Sequence, residues 1–173
     1  DLSDGERTIV DEWVLSRLQT VKAEMHEAWD DYEVHTALNA LLDFVTQDVS
    51  RFYVKAIRER MWEEEESASK LAAYATLSTV LAESIRLIAP YTPYMAERMY
   101  QRLDGRATTV HMLSYPEVDE DLRDADLEAN MAVLRAVEEA AAHARQQGGR
   151  KLRWAVPRIV VETENEDVAG AVE

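Results

Sequence analysis

The 173-residue sequence has no cysteine, five glycines, four prolines and two phenylalanines. Without cysteine it has no disulfides, no thiolate metal sites and no cysteine nucleophile. The few glycines form no glycine-rich run that could cradle a phosphate. No run of eighteen apolar residues and no leader with a charged start and an apolar middle is present, so the sequence reads as soluble and cytoplasmic, with no membrane partner. Basic residues are also scarce. Nineteen Lys and Arg against 34 Asp and Glu give a formal net charge of −15. Only four of the nineteen are Lys, at positions 22, 55, 70 and 151. Such a charge repels polyanions at long range. An acidic surface poor in lysine also suits a very salty cytoplasm, where the screening length falls to about 3 Å at 1 M salt. The opening "DLSDGERT" has no initiator Met, which suggests a piece of something longer.

Catalytic constellations are missing as well. The four histidines, His26, His35, His111 and His143, form no His-x-x-x-His pair, and none has a Glu three residues before it. The zinc and di-iron bundle patterns therefore fail. Glu63 to Glu66 read as a solvated tip rather than a metal site. What remains is binding.

What is present is helical periodicity. Apolar residues at Ile9, Val10, Trp13, Val14, Leu18, Val21 and Met25 fall on one stripe of a first helix, for which Ser3 or Asp4 offers a cap. Asp30 and Asp31 interrupt it. A second helix of about thirty residues is expected from Glu33 to Trp62, since no Gly or Pro stops it. Ser67 caps a third, which Pro90 and Pro93 end. Pro93 opens a fourth that stops at Gly105, and a fifth runs from about Asp124 to Gln147. The tail "KLRWAVPRIVVETE" switches to β-rich residues. The expected fold is all-α: an antiparallel helical bundle over residues 1–147, with a short C-terminal β extension over 148–173 that leads to a neighbouring region.

The bases gather in "SRFYVKAIRERMW". At roughly 100° per residue, Arg51, Lys55, Arg58 and Trp62 fall within an arc of about 60°, beside Phe44 and Asp48. Val45, Val49, Phe52, Tyr53, Ala56 and Ile57 fall opposite, with the size and polarity of a core stripe. Arg60 lies on that core side, so it needs a structural ion pair, and Glu97 of the fourth helix is the first partner to expect. Two readings fit the exposed row. Long side chains could snorkel over a bundle surface, or cations could track phosphates while the indole stacks on an unpaired RNA base. Trp13 and Arg17, four apart on the first helix, make a second pair of aromatic and cation and favour the RNA reading. A protein-interaction bundle that pairs the same row with an acidic partner is the competing class.

Three stretches, "DEWVLSRLQTV", "ALLDFVTQDVSRFYVKAIRERMW" and "LIAPYTPYMAERMYQRL", resemble in order and spacing the helical anticodon-binding domain of class I aminoacyl-tRNA synthetases. The subgroup is the one that charges Ile, Val, Leu and Met. "TTVHMLSYPE" and "GRKLRWAVPRIVVE" are most similar to the isoleucine enzymes of archaeal and eukaryotic type, with the valine, leucine and methionine enzymes as alternatives. The resemblance implies a bundle that docks a tRNA anticodon stem-loop, as one domain of an ATP-dependent aminoacyl-tRNA ligase. ATP and Mg would then be used elsewhere in the parent chain, with no cofactor and no catalysis on this stretch. In related methionine enzymes the positions similar to Trp13, Arg17 and Trp62 face the anticodon. Arg150, Lys151, Arg153 and Arg158 carry either a stem-backbone contact or a junction to a further domain. The prolines of "APYTPYMAE" set an interhelix turn that its tyrosines fill.

Overall fold

The first helix, α1 (Ile9–Asp30), begins where its own side chains close a capping box: the Thr8 N–H and hydroxyl both donate to the Asp11 carboxylate. This places the start later than Ser3 or Asp4, which lie outside the described residues. The computed structural model describes residues 6–149 together with 151, 154, 158 and 160. They divide into two compact units, one ending at Arg123 and one beginning at Asp124.

In the first unit, α1 is followed by α2 (Val34–Asp43), a π-helical segment (Phe44–Tyr53) and α3 (Val54–Met61), which run on without a break. Then come α4 (Ala68–Ile88) and α5 (Pro93–Leu103). Local chemistry sets the ends. The Ser67 hydroxyl accepts from the Lys70 N–H at 3.1 Å to start α4, and Pro93 sits in the first turn of α5, where its missing N–H costs nothing. Gly105 ends α5 at φ +60°, where an added Cβ would lie 3.2 Å from the Gln101 carbonyl oxygen.

Helix α1 is central. Trp13, Val14, Leu18, Val21 and Met25 are buried, and so are Ser16, Gln19 and Lys22. Gln19 and Lys22 face α4 and the segment after α5. The Lys22 ammonium pairs with Glu83 and donates to Gln19 at 3.0 Å and to the Glu117 carbonyl at 3.1 Å. The Asp119 N–H donates to Gln19, and a His26 ring nitrogen lies 2.9 Å from the Pro116 carbonyl oxygen, so residues 116–119 are strapped across α1. A second cluster packs Ile85 of α4 and Ala89, just past its end, on Ala96 and Tyr100 of α5 and on Val110. Helix α4 is long and apolar enough to cross a membrane. Its buried face, from Ala72 to Leu87, is that of a core helix, and its Glu83 and Arg86 find partners in Lys22 and the Ser114 carbonyl.

The second unit contains α6 (Ala125–Gln147), capped by Asp124, whose carboxylate accepts from the Leu127 N–H at 2.9 Å. It falls ahead of the 147/148 boundary expected from the sequence. The expected β extension lies mostly outside the described residues. No strand is present among those that are described.

The helix of about thirty residues is continuous, but its middle departs from α geometry. In the π segment the bonds run from residue i to i+5, so each turn holds more than 3.6 residues. At its end the Val54 N–H reaches the Val49 carbonyl. Buried positions accordingly space out as Phe44, Val49 and Tyr53, with Asp48 beside them. Phe44 is thus in the core, not beside the cations, and Ala56 is exposed.

Within the core, Asp11 is fully buried and collects four hydrogen bonds. Beside the two from Thr8, the Tyr53 hydroxyl donates at 2.6 Å and the Arg60 guanidinium at 2.9 Å. Burial pushes the Asp11 carboxyl up, but the bonds from Tyr53, Thr8 and Arg60 outweigh it and hold it below its ordinary value. Burial and the same carboxylate push the Tyr53 phenol well up. Arg60 also donates to the Ser69 hydroxyl at 3.0 Å and to the Ser69 carbonyl at 2.6 Å. Its ion-pair partner is therefore Asp11 rather than Glu97. Glu97 instead accepts from the Thr109 hydroxyl, the Val110 N–H and Gln101, bonds that lower its pKa, the Thr109 bond most.

Removing either charge leaves the other buried and unpaired, so Asp11→Asn or Arg60→Met should cost about 3–5 kcal/mol. Tyr53→Phe, which loses one bond to a charged acceptor, should cost about 1.5–3 kcal/mol, all measured by chemical denaturation at constant salt. Because the Asp11 pKa is depressed on folding, its contribution is complete above the unfolded value, near 3.9. It is lost as pH falls through the folded value. Acid titration of stability should therefore be flatter below about pH 4 in Asp11→Asn than in the wild type.

Candidate nucleic-acid interface

Along α3 and the residues that flank it, Tyr53 and Trp62, the inward and outward faces are cleanly divided. Tyr53 and Ile57 are buried, and Arg60 turns to the same side. Lys55, Arg58 and Trp62 are on the other side, all exposed. Arg51, at the end of the π segment, is also exposed and donates to Gln47 at 3.0 Å. From Lys55 to Trp62 the row spans about 10 Å at the α-helical rise of roughly 1.5 Å per residue. Trp62 itself is 79% exposed and occupies the C-cap of α3, with φ −97° and ψ 0°. Its N–H donates to the Glu59 carbonyl at 3.1 Å.

Two residues that the sequence did not single out reach this turn from α4. The Tyr74 hydroxyl donates to the Met61 carbonyl at 3.3 Å, and the Lys70 ammonium donates to the Glu63 carbonyl. The Ser67 hydroxyl donates to the Glu63 carboxylate at 3.1 Å. The available signal was the position of Lys70 and Tyr74, four apart in the first two turns of a helix capped beside the Trp62 turn. Glu64, Glu65 and Glu66, which follow Trp62 closely in the chain, are exposed. The arrangement can therefore do two things: attract phosphates along Arg51, Lys55 and Arg58, and offer an aromatic face at one end, next to an acidic tip that repels a continuing backbone.

Trp13 and Arg17 are not part of this face. Trp13 is 1% exposed and meets Phe52 edge to face with ring centroids 5.0 Å apart, so it has no surface on which a base could stack. The Arg17 guanidinium lies 3.3 Å from the Asp48 carboxylate, itself buried in the π segment. The pair of aromatic and cation on α1 is thus a packing and ion-pair element. In the α4–α5 turn, the Tyr91 hydroxyl donates to the Val34 carbonyl at 3.2 Å and its ring lies 5.5 Å from that of Trp29, whereas Tyr94 is exposed rather than filling the turn. Of the tail residues, Lys151 and Arg158 are exposed, while Arg150 and Arg153 lie outside the described residues. Among the described residues no group of three or more His, Asp and Glu is placed to hold a metal ion.

The sequence matches the family described as the anticodon-binding domain of tRNA ligase over residues 11–160. It is 66% identical over 173 residues to the isoleucine–tRNA ligase of Haloquadratum walsbyi, which covers 100% of this chain and 16% of that protein. It is 53% identical over 174 residues to the Halobacterium salinarum isoleucine–tRNA ligase, covering 99% of this chain and 16% of that one. Against the Methanosarcina barkeri isoleucine–tRNA ligase it is 47% identical over 168 residues, with 94% and 16% covered. The chain thus spans 16% of the length of these curated relatives. Similarity over nearly every residue, on a bundle that ends its long second helical path in an exposed row of cations and an indole, leads to one assignment: the chain belongs to the anticodon-binding domain family of tRNA ligases.

Proposed function

We propose that this chain recognises a tRNA anticodon stem-loop as one domain of an ATP-dependent isoleucine–tRNA ligase. The single observation that carries the reading is Trp62, 79% exposed at the end of a continuous helical path on which Arg51, Lys55 and Arg58 are exposed as well. A large indole on the surface of so acidic a bundle contributes little to folding, and beside three cations it has the composition of a single-stranded RNA platform. An anticodon base splayed from its loop stacks on the indole while the cations meet the neighbouring phosphates. Activation of the amino acid, with ATP and Mg, belongs to other parts of the parent chain, and the parent acts in the cytoplasm. Isoleucine is favoured over valine, leucine and methionine by the 66% identity to an isoleucine enzyme. We also propose that residues 148–173 are a β-rich junction to a further region of the parent chain, on their run of β-branched residues.

The first test is binding of an isoleucine tRNA anticodon stem-loop, against a scrambled loop, by the full-length ligase. Trp62→Ala should weaken it about 5- to 150-fold, the value of one stacked base, with the fold intact because the indole packs against little. Trp13→Phe should lower stability and leave RNA affinity within about twofold, as expected for a core substitution away from the ligand. Equal RNA affinity for wild type and Trp62→Ala would remove the reading.

Salt gives a separate check. Three phosphate contacts on a single strand correspond to a slope of about −2 in log K against log [KCl], at roughly −0.7 per contact. Substituting Arg51, Lys55 and Arg58 together by Gln should remove that slope. The Trp62→Ala loss should be nearly the same at low and molar KCl, because stacking is short-ranged.

A further inference from the structure

The Trp62 indole is exposed, but its backbone is held on both sides. The carbonyl before it, of Met61, accepts from the Tyr74 hydroxyl, and the carbonyl after the next peptide, of Glu63, accepts from the Lys70 ammonium. The last carbonyls of a helix have no partner within it and its final turn ordinarily frays. Here a second helix supplies those partners, from one face of its own first two turns, beside the Ser67 cap that fixes where α4 begins. Ser67 holds the Glu63 side chain as well. Arg60, two residues before Trp62, is anchored to the same stretch of α4 through Ser69. Stability gains little from the orientation of a side chain that touches solvent. A ligand that stacks on it gains from finding it already in place, since the cost of ordering is then met during folding rather than on binding.

We propose that Lys70 and Tyr74 are positioning residues of the RNA face, which clamp the Met61–Glu63 turn so that the Trp62 indole is presented in one orientation before RNA arrives. The inference rests on the stacking role proposed above for Trp62. Lys70 acts through the carbonyl it holds and not as a further phosphate contact, and Tyr74 acts through its hydroxyl and not as a second stacking ring.

The test is a double-mutant cycle in the full-length ligase with the isoleucine tRNA anticodon stem-loop as the probe. Lys70→Met with Tyr74→Phe should weaken binding by roughly two- to tenfold, the size of one side chain's ordering cost. In a Trp62→Ala background the same pair should cause no further loss, and Lys70→Arg, which keeps a donor, should restore most of the affinity in the wild-type background. Losses that add to that of Trp62→Ala would mean that Lys70 or Tyr74 touches RNA directly and would overturn the positioning role. No loss from the pair, with Trp62→Ala still harmful, would overturn it too. If Trp62→Ala itself is silent, the stacking reading falls and takes this inference with it.

A second readout needs no RNA. With 5-fluorotryptophan incorporated, the Trp62 fluorine resonance should shift or broaden in the Lys70→Met, Tyr74→Phe protein while that of buried Trp13 stays in place. A general loss of stability would move both.

Discussion

A single buried carboxylate organises the end of the bundle on which the proposed interface sits. Asp11 closes the start of α1 through Thr8, receives the Tyr53 hydroxyl at the end of the π segment, and pairs with Arg60 near the end of α3. Arg60 in turn binds the first turn of α4 through Ser69. The start of α1, the end of the π segment and the end of α3 therefore meet at one carboxylate, and Arg60 ties the start of α4 to it. Replacing such a pair by apolar residues can be neutral or stabilising, so its value is not simply energetic. Its geometry has a direct consequence for function. Residues two positions apart on a helix are separated by roughly 200°, so an Arg60 anchored inward obliges Trp62 to point out. The ion pair and the proposed stacking platform are two sides of the same helical turn.

The π segment is the second constraint. Its i+5 spacing brings both Asp48 and Tyr53 to the α1 side, where Asp48 meets Arg17 and Tyr53 meets Asp11. On an α-helical path Asp48 and Tyr53, five residues apart, would point roughly 140° away from each other, and one of those contacts would be turned away. Wider turns of this kind are frequent at functional sites. Here the segment sits directly before the row that carries Lys55, Arg58 and Trp62, and it returns to α geometry at Val54 in time to present them on one face.

Much of this was legible because it is local. Helix ends came from Ser67, Pro93 and Gly105, whose chemistry acts within a few residues. The outward face of α3 came from periodicity, since α3 is regular. The rest failed for identifiable reasons. A wheel drawn at 100° per residue has no term for the π segment, so Phe44 was assigned to the wrong side. Trp13 and Arg17 misled because α1 is buried on more than one face. An aromatic and a cation four apart look alike on a central helix and on a surface one. The partner of Arg60 was a long-range matter, although Thr8 and Asp11 already spelled a capping box that would hold a carboxylate in place. The clamp on the Trp62 turn was invisible because it depends on how α4 returns against α3.

The charge balance can now be read residue by residue. Of the four lysines, Lys22 is buried against Glu83 and Lys70 is engaged with the Glu63 carbonyl. Among the arginines, Arg17 and Arg60 are in ion pairs and Arg51 and Arg58 are on the surface. Exposed cations also lie off this row, Arg98, Arg102, Arg106 and Arg123 among them, so the proposed RNA strip of Arg51, Lys55 and Arg58 is a local feature within a net charge of −15. At dilute salt the surrounding acids would weaken that strip by long-range repulsion. At about 1 M salt the screening length is near 3 Å and both the repulsion and the long-range attraction vanish. The contacts that survive are those in direct touch: a guanidinium on a phosphate and a base on an indole. A protein that works in such a medium gains little from adding charge to its binding face. It gains more from fixing the few groups that touch, which is the part proposed for the inward anchoring of Arg60 and for the α4 side chains on the carbonyls of Met61 and Glu63.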